Sequence, residues 1–210
     1  MPKLPRKPSF RNTKIEKLRR PVSWLLAFVF FCLFVYTAAP KPLWLAVLFQ
    51  GVGLLCVVGG TLGRLWCILY IAEHKDGSLQ TGGPYSISRN PLYLFSFMAL
   101  IGVFLYSQNG MLTLTVAAIY MIYYHFVIED EEKRLKSFFG AAYEKYLTTT
   151  PRFWPNFARY TVPEAVSVDP KLVVRSARDS VWFFVILMVL GAIERMQASG
   201  IFDIVFVWPF

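Results

Sequence analysis

The feature that most constrains this chain is a series of long apolar runs separated by basic and turn-forming segments. The longest run exceeds the ~20 helical residues that cross a hydrocarbon core. Lipid-exposed backbone must satisfy its own hydrogen bonds, and runs of this length do so as helices. The candidate spans are Ser23 to Ala39, Leu43 to about Tyr70, Leu92 to Tyr106, Met111 to about Ile128, and Val181 to Ile193 or Met196.

The composition agrees with a membrane location. The chain is 56% apolar and 17% charged, which leaves too little polar surface to cover a soluble globule of this size. We therefore predict an all-α fold: a polytopic membrane helical bundle of about five transmembrane helices. Five glycines in the second run are expected to let neighbouring helices approach closely; they are Gly51, Gly53, Gly59, Gly60 and Gly63.

The positions of Lys and Arg predict the orientation. Nineteen of the 22 lie in three regions: eight in residues 1–22, two in the 73–91 loop and nine from Lys133 to Arg178. By the positive-inside rule this side is cytoplasmic. We therefore expect a multi-pass protein with its N-terminus and its active site in the cytoplasm, and we expect the membrane to be the bacterial inner membrane. A cleaved signal peptide is the alternative interpretation of the first run, because Thr37 and Ala39 imitate a cleavage site.

The basic charge and the few potential metal ligands exclude some functions. The net charge is +9, and no nucleic-acid-binding module is recognisable, so anionic lipids are the expected counter-charge. No protein partner is indicated. No metal site is expected, because the cysteines and histidines lack metal-ligand spacing; these residues are Cys32, Cys56, Cys67, His74 and His125.

Two polar segments flank the third and fourth spans. The first runs from Gly83 to Tyr93, and the second begins at Glu131 and Glu132. Because the turn Ser107 to Gly110 is short, the far ends of these two spans should meet, and a functional site is expected there. After the glutamates, apolar residues recur at three- and four-residue spacing as far as Tyr146, which predicts an amphipathic helix on the membrane surface.

These segments carry a recognisable pattern. They supply Gly83-Pro84-Tyr85, Arg89, Pro91, Tyr93, Glu131, Glu132, Leu135, Phe139-Gly140, Tyr143, Tyr146 and Pro151-Arg152-Phe153. In this order and spacing the chain resembles the isoprenylcysteine carboxyl methyltransferase and phospholipid methyltransferase superfamily of integral membrane enzymes. The resemblance covers about residues 60–155. Asn90 departs from it, since the family most often has histidine there.

The resemblance implies a methyltransferase that uses S-adenosylmethionine, releases S-adenosylhomocysteine and acts on a lipid-like acceptor. The apolar and basic blocks divide the chain into four segments: a basic arm (1–22), a transmembrane hairpin (23–72), a core (73–155) that the resemblance makes catalytic, and a connector with the fifth span and an apolar tail (156–210). The implied cofactor-binding residues are Gly83, Tyr85, Arg89, Asn90, Pro91, Tyr93, Glu131 and Glu132. The implied catalytic residues are Arg89, Arg152 and Glu132.

The implied roles have physical reasons and alternatives. Carboxylates of Glu131 and Glu132 attract the ammonium and sulfonium of the cofactor, although one of them could instead orient Arg89 or Arg152. The two guanidinium groups suit carboxylate or phosphate, although arginines also snorkel to membrane interfaces. His125 is about one turn from Glu129 and is either a site residue or an interfacial one.

Two other functions stay open on sequence. One is an NADPH-dependent membrane reductase of sterol-reductase type. The paired glutamates argue against it, because the phosphate groups of a nicotinamide cofactor prefer basic residues. The other is a non-catalytic membrane scaffold, supported only by Asn90. The sequence does not specify the methyl acceptor, the oligomeric state or the role of the apolar tail.

Overall fold

The computed structural model describes residues 29–30, 32, 34–35, 37–38, 42–71, 79–163, 166, 168–201 and 204–207. Its elements are β1 (Thr37–Ala38), α1 (Leu43–Ile71), α2 (Pro84–Ile87), α3 (Pro91–Tyr106), α4 (Gly110–Phe139), α5 (Ala141–Thr149), a 3-10 turn (Phe157–Arg159), α6 (Pro170–Ala198) and β2 (Phe206–Val207). The basic arm, His74 and most of the predicted first span lie outside the described residues. Within that span, Val29, Phe30, Cys32, Phe34 and Val35 have helical backbone, whereas Thr37 and Ala38 form β1. The predicted end of the span at Ala39 was therefore wrong.

In the described part of the chain, three helices are long and apolar enough to cross a membrane, namely α1, α4 and α6. Helix α3 is apolar but has only 16 residues, which corresponds to about 24 Å. The protein is therefore an integral membrane protein, and the predicted helical membrane bundle is confirmed.

Helices α1 and α3 pack closely because glycines remove side chains from their interface. A β-carbon on Gly60 would lie 2.5 Å from the backbone nitrogen of Ala99, and one on Gly53 would lie 2.6 Å from the carbonyl oxygen of Gly102. Arg64 of α1 donates a hydrogen bond to the hydroxyl of Ser96 in α3. Helix α3 is consequently held between α1 on one side and α4 on the other.

A tight turn joins α3 to α4, as predicted. Gln108 has a left-handed backbone conformation with φ 59°. The side chain of Asn109 then caps α4 by accepting a hydrogen bond from the backbone N–H of Leu112 at 2.9 Å. Such a cap satisfies one of the unpaired N–H groups at a helix start, and the turn reverses the chain.

The predicted amphipathic helix is not a single element. Helix α4 continues through the charged residues as far as Phe139, because Glu, Lys and Arg are good helix formers once the chain leaves an apolar environment. Gly140, with φ 53°, then ends α4 and starts α5. The interpretation of Glu129 to Tyr146 as one surface helix was therefore wrong at this glycine.

Helix α6 begins earlier than the predicted fifth span. Asp169 caps its start by accepting from the N–H of Lys171 at 3.0 Å, and Pro170 occupies its first position. Both are typical helix-start residues. The mixed polar and apolar residues 170–180 therefore extend the helix before the apolar run. Part of the apolar tail is ordered too, since β2 pairs in parallel with β1 over two residues.

Candidate active site at the start of α3

The site loop starts at a glycine whose conformation and contacts exclude other residues. Gly83 has φ 58°, and an added β-carbon would overlap the ring of Tyr70 in α1. Its N–H donates to the carbonyl of Thr161 at 2.8 Å. The short helix α2 follows, and the hydroxyl of Tyr146 in α5 donates to the carbonyl of Tyr85 at 2.6 Å. The loop is thus held by α1, α5 and the 151–163 segment.

Arg89 is a connecting residue of the site. Its Nε donates to Glu132 Oε1 at 3.0 Å, and its Nη1 donates to the carbonyl oxygens of Leu147 at 2.8 Å and Thr150 at 3.1 Å. The side chain is only 12% exposed. The Arg89 guanidinium therefore connects the loop by hydrogen bonds to α4 and to the end of α5.

Glu132 lies between two arginines. Besides Arg89, it approaches Arg152, with 3.3 Å between Arg152 Nε and Glu132 Oε2. That second contact is an ion pair without hydrogen-bond alignment. Because the Glu132 side chain is mostly buried and its oxygens face protein groups, its carboxylate fixes the two guanidinium groups.

Asn90, the departure from the family pattern, is part of the same cluster. Its Nδ2 donates to the carbonyl of Arg152 at 2.9 Å and lies 3.4 Å from Glu132 Oε1. Its backbone N–H donates to Ser88 Oγ at 3.2 Å, and the residue is buried. The amide group therefore supplies hydrogen bonds that hold the loop to the 151–163 segment.

Glu131 points elsewhere and is less enclosed. Its Oε2 accepts a hydrogen bond from the hydroxyl of Tyr93 at 2.7 Å, and its Oε1 lies 3.6 Å from a guanidinium nitrogen of Arg134. Neighbouring helical residues project about 100° apart, which explains why the paired glutamates differ. The ring of Tyr93 contacts that of Tyr124, and Tyr124 stacks on Tyr120.

Tyr85 carries a polar atom whose hydrogen bonding is incomplete. Its hydroxyl is buried and has no hydrogen-bond partner among the described residues. Burial, followed by the proximity of Cys67, Tyr146, Glu131 and Tyr93, raises the pKa of the Tyr85 phenol well above its usual value. At physiological pH this group is a neutral phenol, able to donate one hydrogen bond.

Arg152 contacts His125 as well as Glu132. One guanidinium nitrogen lies 3.4 Å from His125 Nδ1, and the other lies 3.5 Å from the His125 carbonyl oxygen. His125 therefore borders the site through an arginine. The predicted site residues lie in the Gly83–Tyr93 loop, in α4 and at Arg152, and hydrogen bonds and ion pairs join these three segments to one another. Pro91 starts the helix α3 that bears Tyr93.

Sequence reasoning missed two supporting residues. The Ser88 hydroxyl donates to the carbonyl of Phe153 at 3.0 Å and also accepts from Asn90. Thr150 supplies a carbonyl to Arg89. A serine in a loop and a backbone carbonyl carry no specific sequence signal, so neither could have been singled out.

An open depression of about 360 Å³ lies beside this cluster. It is lined by Arg89, Leu147, Thr148, Thr149, Thr150, Pro151, Trp154, Asn156 and Arg159. Two of these residues are cationic and none is acidic. The depression is consequently suited to an anionic group next to Arg89.

Comparison with known proteins identifies the family. The model of the phospholipid methyltransferase family matches residues 50–142, which include the Gly83–Tyr93 loop and the paired glutamates of α4. The cobalt-zinc-cadmium resistance protein CzcN of Cupriavidus metallidurans is 32% identical over 75% of this chain and 73% of its own length. The nickel-cobalt-cadmium resistance protein NccN of Alcaligenes xylosoxydans xylosoxydans is 33% identical over 72% of this chain and 70% of its own length. No solved structure gives a significant match. The chain belongs to the phospholipid methyltransferase family.

Proposed function

We propose that this protein transfers a methyl group from S-adenosylmethionine to a lipid-like acceptor at the membrane boundary. The observation that carries the proposal is the contact between the loop Gly83 to Tyr93 and the paired glutamates of α4 in a member of the phospholipid methyltransferase family. When bound, the cofactor supplies a methyl group made electrophilic by the sulfonium.

The residues present fit such a cofactor. The buried Tyr85 hydroxyl has no hydrogen-bond partner among the residues that the structure describes, and Glu131 and Tyr93 are among the groups whose charge raises its pKa. A phenol donor, a carboxylate and aromatic rings together suit a cationic ligand that also carries hydrogen-bond acceptors. We therefore assign direct cofactor contact to Glu131, Tyr85 and Tyr93.

Glu132 has a positioning role in this proposal. It holds Arg89 and Arg152 by ion pairs at 3.0 and 3.3 Å. The two guanidinium groups bind an anionic group, either the carboxylate end of the cofactor or a carboxylate or phosphate of the acceptor. Holding both reactants in one orientation is the main catalytic contribution that this chain offers.

A binding experiment on purified protein in nanodiscs tests the proposal against the reductase alternative. Labelled S-adenosylmethionine should bind, whereas NADPH should not.

Glu131→Gln should weaken S-adenosylmethionine binding about tenfold or more, because a hydrogen bond or ion pair to a charged group contributes about 1.5–3 kcal/mol. Glu144→Gln is the matched control, since Glu144 is an exposed carboxylate paired with Lys136. Unchanged binding by Glu131→Gln would refute the assignment, and absence of cofactor binding by the wild type would favour a scaffold.

The acceptor can be identified in cells. Cells with and without the protein are grown on methyl-labelled methionine, and their lipids are extracted. The two extracts should differ by a labelled lipid-like compound. That compound should also be missing from cells that express only the Glu131→Gln variant of the protein. A labelled species that persists without the protein would not be its product.

We further propose that the site faces the cytoplasm, where S-adenosylmethionine is made. The nine basic residues from Lys133 to Arg178 support this orientation. A reporter that is active only in the cytoplasm should function when fused after Pro163 but not when inserted at Asn109. The reverse pattern would exclude the orientation.

A second proposal concerns metal resistance, because two relatives are named as resistance proteins for cobalt, cadmium and either zinc or nickel. Among the residues that the structure describes, no three His, Cys, Asp or Glu side chains form a group that could hold a metal. We infer that a contribution to resistance would come from methylation of a membrane component. Cells lacking the protein should then be cadmium-sensitive, and wild type but not Glu131→Gln should restore growth. Full restoration by Glu131→Gln would contradict this inference.

A further inference from the structure

The segment from Pro151 to Pro163, here called the strap, crosses the site end of the bundle between α5 and α6. It contains the sequence PRFWPNFARYTVP, with two arginines and no acidic residue. Several of its apolar side chains are not covered by the rest of the chain: Trp154 is 66% exposed, Phe157 is 69% exposed and Val162 is 68% exposed. So many exposed large apolar residues in one short segment indicate a binding surface.

The strap is fixed rigidly to the site loop through its backbone. Arg89 N–H donates to the Pro151 carbonyl at 2.8 Å, Asn156 N–H donates to the Ile87 carbonyl at 2.9 Å, and Gly83 N–H donates to the Thr161 carbonyl at 2.8 Å. Because both ends and the middle of the strap are held, its exposed side chains have a defined position. The exposed apolar surface is therefore a feature of the folded protein.

The position of the strap relates it to the membrane boundary. The ring of Tyr160 contacts that of Trp66, with 5.8 Å between their centroids, and Trp66 lies five residues before the end of the spanning helix α1. Aromatic residues at this level of a spanning helix are typical of the lipid–water interface. The strap is thus level with the last turns of α1 and continuous with the surface of the bundle.

We propose that the strap is an interfacial anchor, in which Trp154, Phe157 and Val162 enter the boundary between headgroups and acyl chains while Arg159 contacts anionic headgroups. Tryptophan and phenylalanine have amphipathic or apolar rings suited to this depth, and each basic residue near an anionic surface adds attraction. Because the strap is hydrogen-bonded to the loop that carries Arg89, the anchor sets the depth of the candidate site in the membrane. The inference does not depend on the reaction catalysed.

Tryptophan fluorescence in nanodiscs tests the anchor. The contribution of Trp154 is the difference between wild type and Trp154→Phe. Trp182 is the reference, since it is 64% exposed on the spanning helix α6, and its contribution comes from Trp182→Phe. In lipid brominated on the acyl chains, both contributions should be lost, and the Trp154 emission should be blue-shifted relative to tryptophan in water. A Trp154 contribution that brominated lipid leaves unchanged, but that aqueous iodide quenches, overturns the proposal and indicates a surface for a soluble partner.

The charge part of the proposal has its own test. Phosphatidylglycerol in the nanodisc should increase the quenching of Trp154 relative to phosphatidylcholine alone, and Arg159→Gln should abolish that increase. Arg178→Gln is the control, because Arg178 is 75% exposed at the side chain and lies outside the strap. Equal quenching in both lipids, or an equal effect of the two arginine variants, overturns the assignment of Arg159.

Discussion

At the scale of single residues, the two adjacent glutamates have different partners and therefore different roles. Glu132 contacts two arginines and an asparagine of the protein, whereas Glu131 contacts one tyrosine and approaches one arginine. Glu132→Gln should remove the carboxylate that pairs with both Arg89 and Arg152. Breaking a buried ion pair from one side costs about 3–5 kcal/mol. We expect a much lower melting temperature in detergent than for Glu131→Gln, together with loss of cofactor binding.

Glu131→Gln is the comparison for that measurement. It should keep a melting temperature near that of the wild type and lose only ligand affinity. Equal melting temperatures for the two variants would contradict the positioning role of Glu132. The sequence alone shows the glutamate pair but not the division of roles, because that depends on which face of α4 meets the loop.

Tyr85→Phe should affect folding and binding in opposite directions. A buried hydroxyl without a partner costs about 1–3 kcal/mol. Because the Tyr85 hydroxyl has none in the described part of the chain, removing it should raise the melting temperature of the ligand-free protein. If the hydroxyl donates to the cofactor, the same variant should bind S-adenosylmethionine more weakly. Tyr146→Phe is the contrast, because its hydroxyl donates to the Tyr85 carbonyl and its loss should lower stability. A lower melting temperature for Tyr85→Phe would show that the hydroxyl has a structural partner.

At the scale of helices, the α1–α3 contact depends on specific glycines. A β-carbon at Gly60 would lie 2.5 Å from backbone and 2.7 Å from the β-carbon of Ala99, whereas at Gly51 it would meet nothing within 4 Å. Overpacking of a close contact costs about 1–3 kcal/mol. Gly60→Ala should therefore lower the melting temperature and weaken cofactor binding, because α3 carries Tyr93. Gly51→Ala should do neither, and equal effects would contradict the packing.

The helices also show what the sequence could predict. Hydropathy predicted α1 and α3 to within one residue at each end, since apolar runs bounded by prolines and polar turns leave little choice. It could not predict the break at Gly140 or the early start of α6. The first depends on a left-handed backbone conformation, and the second on a capping aspartate followed by polar helical residues. The closeness of the two site segments followed from the short α3–α4 turn, whereas the contacts of Asn90 and Ser88 depend on the path of the strap.

At the scale of the whole molecule, a polar cluster holds the bundle together at the end opposite the site. Glu194 of α6 accepts hydrogen bonds from Gln50 of α1 at 2.9 Å and from Gln108 of the α3–α4 turn at 3.0 Å. The site lies near the other ends of α1 and α3, about 24 Å away along α3. Gln197 adds hydrogen bonds to the carbonyl oxygens of Phe34 and Val35. Helix α6 thus contacts α1, the α3–α4 turn and the Phe34–Val35 segment at this end.

Glu194→Ala should therefore reduce the stability of the bundle without changing the intrinsic chemistry of the site. It leaves two partly buried amides without their acceptor, at about 1–3 kcal/mol each, so the melting temperature should fall. The melting temperature of the Glu194→Gln variant should fall less, because the carbonyl oxygen of the new glutamine side chain still accepts a hydrogen bond from one amide. Both variants should bind S-adenosylmethionine with wild-type affinity at temperatures where they stay folded, since Glu194 hydrogen-bonds to none of the site residues among those that the structure describes. A large loss of affinity in a folded Glu194→Ala protein would instead show that α6 transmits its position to the site through α1 and α3.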